Sequence, residues 1–179
     1  MTSDADRLAL LSIARAAIVA HTGGQVPSTT APEGSLAERR GAFVTLHAHG
    51  ELRGCIGHVE ADEPVAVVVS RCAVLACSAD SRFPPVTAGE VTALQIELSL
   101  LGPLVPVSSA DEIEIGRDGL VVEERWSRGL LLPQVATEWN WDREAFLAQT
   151  CRKAGLPRDA WKRGARIWRF EAEVFGEPG

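Results

Sequence analysis

Tyrosine is absent from this chain of 179 residues, cysteine occurs four times, and basic residues are outnumbered by acidic ones, 18 against 24. Each shortage excludes a class of protein. Four cysteines, at positions 55, 72, 77 and 151, are too few to staple a chain this long, so they read as thiols of a reducing compartment. A formal net charge of −6, with no segment rich enough in Lys and Arg to track phosphates, argues against nucleic acid as the main partner. No apolar run approaches the ~20 residues that crossing a bilayer needs, so no membrane association is expected. Residues 1–6 lack the basic stretch, apolar run and small-residue cleavage site of a secretory signal, and a cytoplasmic protein is expected. Low-complexity tracts and fixed-period repeats are missing as well.

What is present is an ordinary globular composition, 46% hydrophobic and 23% charged, long enough for one domain or two intimately joined halves. Leu8, Leu11, Ala14 and Ile18 recur at helical spacing behind the possible caps Ser3 and Asp4, and the helix ends near Gly23 and Gly24. Residues 22–35 are mostly small or turn-forming and predict a mobile surface loop. Strands are expected over 42–46 and 52–59, joined through His49-Gly50; a two-residue turn there would set Cys55 opposite Val44. Pro64 starts a helix burying Val65, Val68, Val69, Cys72 and Ala76, with burial outweighing the poor helix propensity of valine. Prolines 84 and 85 forbid its continuation. Leu94, Ile96, Leu98 and Leu100 alternate with polar residues as in a half-buried strand, which puts Glu97 on the solvated face.

Further on, residues 113–115 and 120–123 flank a Gly116-Arg117-Asp118-Gly119 turn and predict a second hairpin. Leu130-Leu131-Leu132 runs into Pro133, a suitable first helical residue. Asp142 caps a helix carrying Phe146, Leu147, Thr150, Cys151 and Ala154 inward, closed by Gly155 and Pro157. Trp168, Phe170, Ala172 and Val174 form the apolar face of a last strand. Helices mixed with hairpins, without regular βαβ crossovers, make the class α+β: mostly antiparallel sheets with packed helices.

The sharpest chemical feature is Arg53-Gly54-Cys55-Ile56-Gly57-His58. Glycine weakens a strand interior, so Gly54 and Gly57 around one thiol suggest a bulge or a surface that other atoms approach closely. Cys55 reads either as a nucleophilic or redox thiol, helped by Arg53 and His58, or as a small buried cysteine that lets strands approach. Strict alternation puts Arg53 on the face of Cys55 and His58 on the other, so a bulge at a glycine is needed to bring His58 round. Metal spacing is weak: Cys72 and Cys77, five apart on a helix, diverge, and no metal ligand set is assigned. Arg82 and Phe83 would either clamp an anionic ligand or fasten a turn. Gln134, at a helix start, would line a pocket or face solvent. The tryptophans at 139, 141, 161 and 168 read mainly as core.

Four motifs in order carry a family resemblance: Leu52-Arg53-Gly54-Cys55-Ile56-Gly57, Asp80-Ser81-Arg82-Phe83-Pro84-Pro85, Leu131-Leu132-Pro133-Gln134-Val135-Ala136, and Lys153-Ala154-Gly155-Leu156-Pro157 with Trp161. Over residues 42–177 the chain resembles the AMMECR domain, named for the Alport, midface hypoplasia and elliptocytosis chromosomal region and called system protein A of the AmmeMemoRadiSam group in prokaryotes. Ser81 stands where proline is common in the family. The resemblance implies a cytosolic α+β protein of two subdomains, expected here as 1–60 with 120–179 and 61–119. It also implies a pathway shared with Memo-like and radical S-adenosylmethionine (radical SAM) proteins. It supplies no agreed mechanism and no known cofactor. The reading is therefore an enzyme, or an accessory subunit of one, with a Cys55-centred pocket for an unknown small molecule or protein-bound intermediate. The alternative is a non-catalytic protein-interaction module using the same patch, with Arg53, Arg82 and Phe83 as anchors.

Overall fold

The computed structural model describes residues 1–28 and 30–179. Thr29, inside the segment expected to be mobile, lies outside the described residues. In chain order the elements are α1 (Asp4–Thr22), β1 (Ala42–Ala48), β2 (Glu51–His58), α2 (Val65–Ser78), β3 (Leu94–Leu101), β4 (Val105–Pro106), β5 (Asp118–Glu124), β6 (Ser127–Leu131), α3 (Pro133–Glu138), α4 (Arg143–Lys153) and β7 (Arg166–Gly176). Strand pairing is antiparallel throughout the described ladders. The class is α+β, as the mixed patterning implied.

The chain divides into two compact units, Met1–Leu101 with Glu173–Gly179, and Gly102–Ala172. This partition differs from the expected one at residues 60 and 119. The β1–β2 hairpin and α2 bury one another's apolar faces, so β2 and α2 belong to the same unit.

In the first unit the strands lie in the order β2-β1-β3. Val44 and Leu46 of β1 pair with Leu98 and Ile96 of β3, and all four are buried with α1 and α2 in one cluster. The Ser3 hydroxyl caps α1 by accepting from the Asp6 N–H. The buried stripe of α1 is Leu10, Leu11, Ala14, Ala17 and Ile18, whereas Leu8, expected inward, is 63% exposed. Val65, Val68, Val69, Cys72 and Ala76 of α2 are all buried, which is how a valine-rich segment stays helical. The end of β7 is tied to this unit by charge. Arg7 and Arg40 reach Glu173, while Arg15 pairs with Glu177 and also donates to the Val91 and Leu94 carbonyls (both 2.8 Å).

In the second unit β5 pairs with β6 on one side and with β7 on the other. The expected hairpin between 113–115 and β5 does not form. Asp118 is wholly buried and accepts from the Glu114 N–H, closing residues 114–118 into a turn, and β5 instead turns back through Arg125 (φ 53°) into β6. Ile113, Leu120, Ala136, Phe146 and Leu147 form the core here, beside a second cluster of Val122, Cys151 and Ala160. The Asp142 side chain accepts from the Ala145 N–H and caps α4 as expected. Phe170 of β7 is buried, but Val174 is 47% exposed and Phe175 packs inward. The inward face therefore switches along β7, because Arg166–Ala172 serves one unit's core and Glu173–Gly176 the other's. Among the described residues no helix is long and apolar enough to cross a membrane.

Candidate functional site

The glycine-flanked thiol lies on β2, the outermost strand of the first unit's ladder. Leu46 pairs with Gly54 and His47 with Leu52, so Arg53 is a bulged residue with no partner on β1. That one extra residue shifts the register, and Cys55 faces Thr45 rather than Val44. Cys55 and Thr45 share the sheet face turned away from α1 and α2, with Sγ and Oγ1 3.3 Å apart.

Both flanking glycines are explained by the protein's own atoms. A Cβ on Gly54 would sit 2.2 Å from the Ala76 carbonyl oxygen, so its absence lets α2 approach β2 at backbone distance. A Cβ on Gly57 would lie 2.4 Å from the Phe43 ring. The close approach inferred for these positions is thus a helix on one face and an aromatic ring on the other.

Residues 80–90 form a strap along the free edge of β2. Asp80, 7% exposed, accepts from the Cys55 N–H (2.9 Å), from the Arg82 N–H (3.1 Å), and from Arg82 Nε (3.0 Å) and Nη2 (2.8 Å). Those guanidinium bonds hold the Asp80 carboxyl far below the usual range. Arg82 in turn lies over the Phe83 ring, 5.4 Å from its centroid. Arg53, freed from the ladder by the bulge, donates to Glu90 (3.1 Å) and to the Pro84 carbonyl (2.9 Å). Glu90 itself accepts from the Thr87 N–H (2.8 Å). Of the two roles foreseen for Arg82, the turn-fastening one is present, with a side-chain carboxylate as acceptor.

The strap residue that organises everything is Asp80, which the sequence marked only as the first residue of a family motif. Its signal was there: an acid two residues before an arginine, directly after an apolar helix.

The thiol itself is not poised as an anion. Burial pushes the Cys55 pKa up, and the Thr45 hydrogen bond and the Arg82 charge only partly offset that, with Asp80 and Glu97 adding to the rise. Cys72, in the core, is pushed up to about 11 by burial. His58 is not brought to Cys55. No register shift separates them, so His58 is on the opposite face, paired with Ala42, and its Nε2 lies 2.7 Å from Asp62 Oδ1. His58, Asp62 and Glu63 offer ligand atoms within 4.8 Å of one another and could hold a cation, although Glu63 already receives Arg71 at 2.6 and 2.8 Å. Gln134 belongs to the other unit, at the second position of the six-residue α3.

An α+β body whose edge strand carries a half-buried thiol, braced by an aspartate–arginine strap, is the class of protein that fold and site define. The family is shown directly: the AMMECR1 family model matches residues 11–175, and the chain belongs to that family. A protein of Methanothermobacter thermautotrophicus is 46% identical over 95% of this chain and 93% of its own length. Protein MJ0810 of Methanocaldococcus jannaschii is 48% identical over 78% of this chain and 74% of its own. The crystal structure of the uncharacterized protein PH0010 from Pyrococcus horikoshii superposes with a TM-score of 0.86 at 39% identity, covering 94% of this chain and 89% of that one.

Proposed function

We propose that this protein is a recognition module without a catalytic thiol, and that it engages a partner protein through Arg82 and Phe83. The observation that carries the reading is the state of Arg82. Its side chain is 55% exposed, yet its guanidinium is fixed by Asp80 and stacked on Phe83. An arginine–aromatic pair already held in one geometry has little side-chain entropy left to lose on binding, which is the property of an interface anchor. The enzyme reading needs a thiolate and a base at Cys55. The raised thiol and the engagement of His58 with Asp62 weigh against it.

The Memo-like and radical SAM proteins implied by the resemblance are the partners to test. In a quantitative pull-down or titration with each, Phe83→Ala is expected to weaken binding about tenfold or more. Cys55→Ser is expected to leave it within about threefold. Equal binding by Phe83→Ala and the parent would refute the anchor assignment, and a Cys55→Ser variant that binds normally but abolishes pathway turnover would restore the enzyme reading.

A further inference from the structure

One aromatic pair of the second unit stands outside the core in which the sequence places it. Trp139 is 68% exposed and stacks on Trp141, with ring centroids 6.2 Å apart and planes 16° from parallel. The turn that ends α3 sets this arrangement. Asn140 takes the left-handed backbone conformation (φ 57°), and the N–H groups of Trp139 and Trp141 return to the carbonyls of Val135 (3.2 Å) and Ala136 (2.9 Å). The chain thereby folds back and brings the two rings together. Trp141 also meets the buried Phe146, centroid to centroid at 6.4 Å, and closes the core beneath it. One face of the Trp139 indole rests on Trp141, and the other is open to solvent.

The uncommitted charge beside this pair is of one sign. Glu138 and Asp142 are the chain neighbours of the two rings, about 3.8 Å away from Cα to Cα, and Glu144 follows in the first turn of α4. All three are exposed. Glu138 and Glu144 form no hydrogen bond or ion pair with any described residue, and Asp142 accepts only the capping Ala145 N–H. The neighbouring arginines are committed. Arg143 donates to the Ile113 carbonyl, and Arg117, whose turn meets Thr137 of α3, is held by Glu114 and Asp118. Trp126, 99% exposed in the β5–β6 turn, offers the contrast, since it has no ring contact with any described residue.

We infer that the Trp139–Trp141 stack is a docking site for a basic segment of a partner protein, with an arginine or lysine head group laid on the open face of Trp139 and Glu138, Asp142 and Glu144 as the surrounding counter-charge. The chemistry follows from charge complementarity. The face of an indole is its electron-rich side and attracts a cation, arginine best because its planar group also stacks. Carboxylates without cationic partners strengthen that attraction and repel nucleic acid and anionic lipid. A wholly apolar partner fits less well, because covering the rings would strip water from those carboxylates with nothing to replace it. Two rings already stacked have little freedom left to lose on binding. The assignment is independent of the Arg82–Phe83 reading, whose residues belong to the other unit.

The test is an NMR titration of the whole chain with a blocked Arg-Gly-Arg tripeptide, read at the indole N–H signals of the five tryptophans. A blocked Gln-Gly-Gln tripeptide is the uncharged control, and methylguanidinium is the free cation. Saturable shifts at Trp139 and Trp141 are expected with a Kd of about 1 mM, while Trp126 stays in place. Trp139→Ala is expected to weaken binding about fivefold, and Trp139→Phe, which keeps a ring face, by no more than about threefold. Glu138→Gln combined with Glu144→Gln, which leaves the rings untouched, is expected to weaken binding about threefold and to flatten its salt dependence. No saturable shift, equal shifts with the glutamine peptide, a Trp126 response as large as that of Trp139, or undiminished binding by both Trp139→Ala and the double variant would overturn the site. Methylguanidinium binding as tightly as the tripeptide would overturn a protein segment as the occupant.

Discussion

Two buried aspartates, one in each unit, use the same device to opposite ends. Asp118 is wholly buried, accepts from the Glu114 N–H four residues back, and is flanked by Arg117 and Arg169. Asp80 is nearly as buried and likewise combines backbone N–H and arginine partners, but besides the Arg82 N–H and guanidinium it takes the N–H of Cys55, 25 residues away on another element. A carboxylate with such partners stays ionised in a poorly solvating environment in either case. The difference is reach. Asp118 closes its own turn, whereas Asp80 carries a loop to a strand and fixes Arg82 at the surface.

Substitutions can break or sharpen this contrast. The largest effect is expected from Asp118→Asn, which leaves arginines without their buried counter-charge and should cost about 4 kcal/mol in urea unfolding. Next comes Gly54→Ala, whose new methyl collides with the backbone oxygen of Ala76; about 3 kcal/mol is expected, since helix and strand must separate. Asp80→Asn is expected to cost less, about 2 kcal/mol, because water can solvate the half-exposed Arg82 that remains.

The Asp80 contribution also depends on pH. Its carboxyl is depressed in the folded chain from an ordinary 3.8, so the stabilisation is complete above that value and is lost as pH falls below it. The gap between parent and Asp80→Asn, measured by thermal unfolding, should therefore narrow below about pH 4 and stay constant from about pH 5 to 8. The smallest effect is expected at Cys55→Ser, under about 1 kcal/mol, since a hydroxyl can keep the Thr45 contact. Alkylation of Cys55 should show a midpoint above that of an ordinary thiol, and a midpoint below it would contradict the neutral-thiol assignment.

Local chemistry was legible where one residue decides one feature. Asp142 announced α4, and the Leu94-to-Leu100 alternation announced β3. Non-local choices were not legible. Nothing in Leu52-Arg53-Gly54 says which residue will be bulged; that is settled by α2, which needs Gly54 beneath Ala76. The partner of β5 turned on the burial of Asp118, which looks from the sequence like an ordinary turn aspartate. β7 alternates regularly but serves two cores of opposite parity, so a single-face reading placed Val174 inside. At the site, the motif residues were found and their mutual arrangement was not: Asp80 and Thr45, the two atoms' worth of contact that define Cys55, come from elsewhere in the chain.

The outermost position of β2 has one more consequence. A strand with an open side is a template on which a second chain can add, and proteins commonly guard such sides with charge or a covering loop. Here the guard is the Asp80 carboxylate, which occupies the N–H of Cys55 and sets an ion pair with Arg82 where an incoming strand would have to dock. The contact that orients Arg82 thereby also takes a hydrogen-bonding group of that open side out of play.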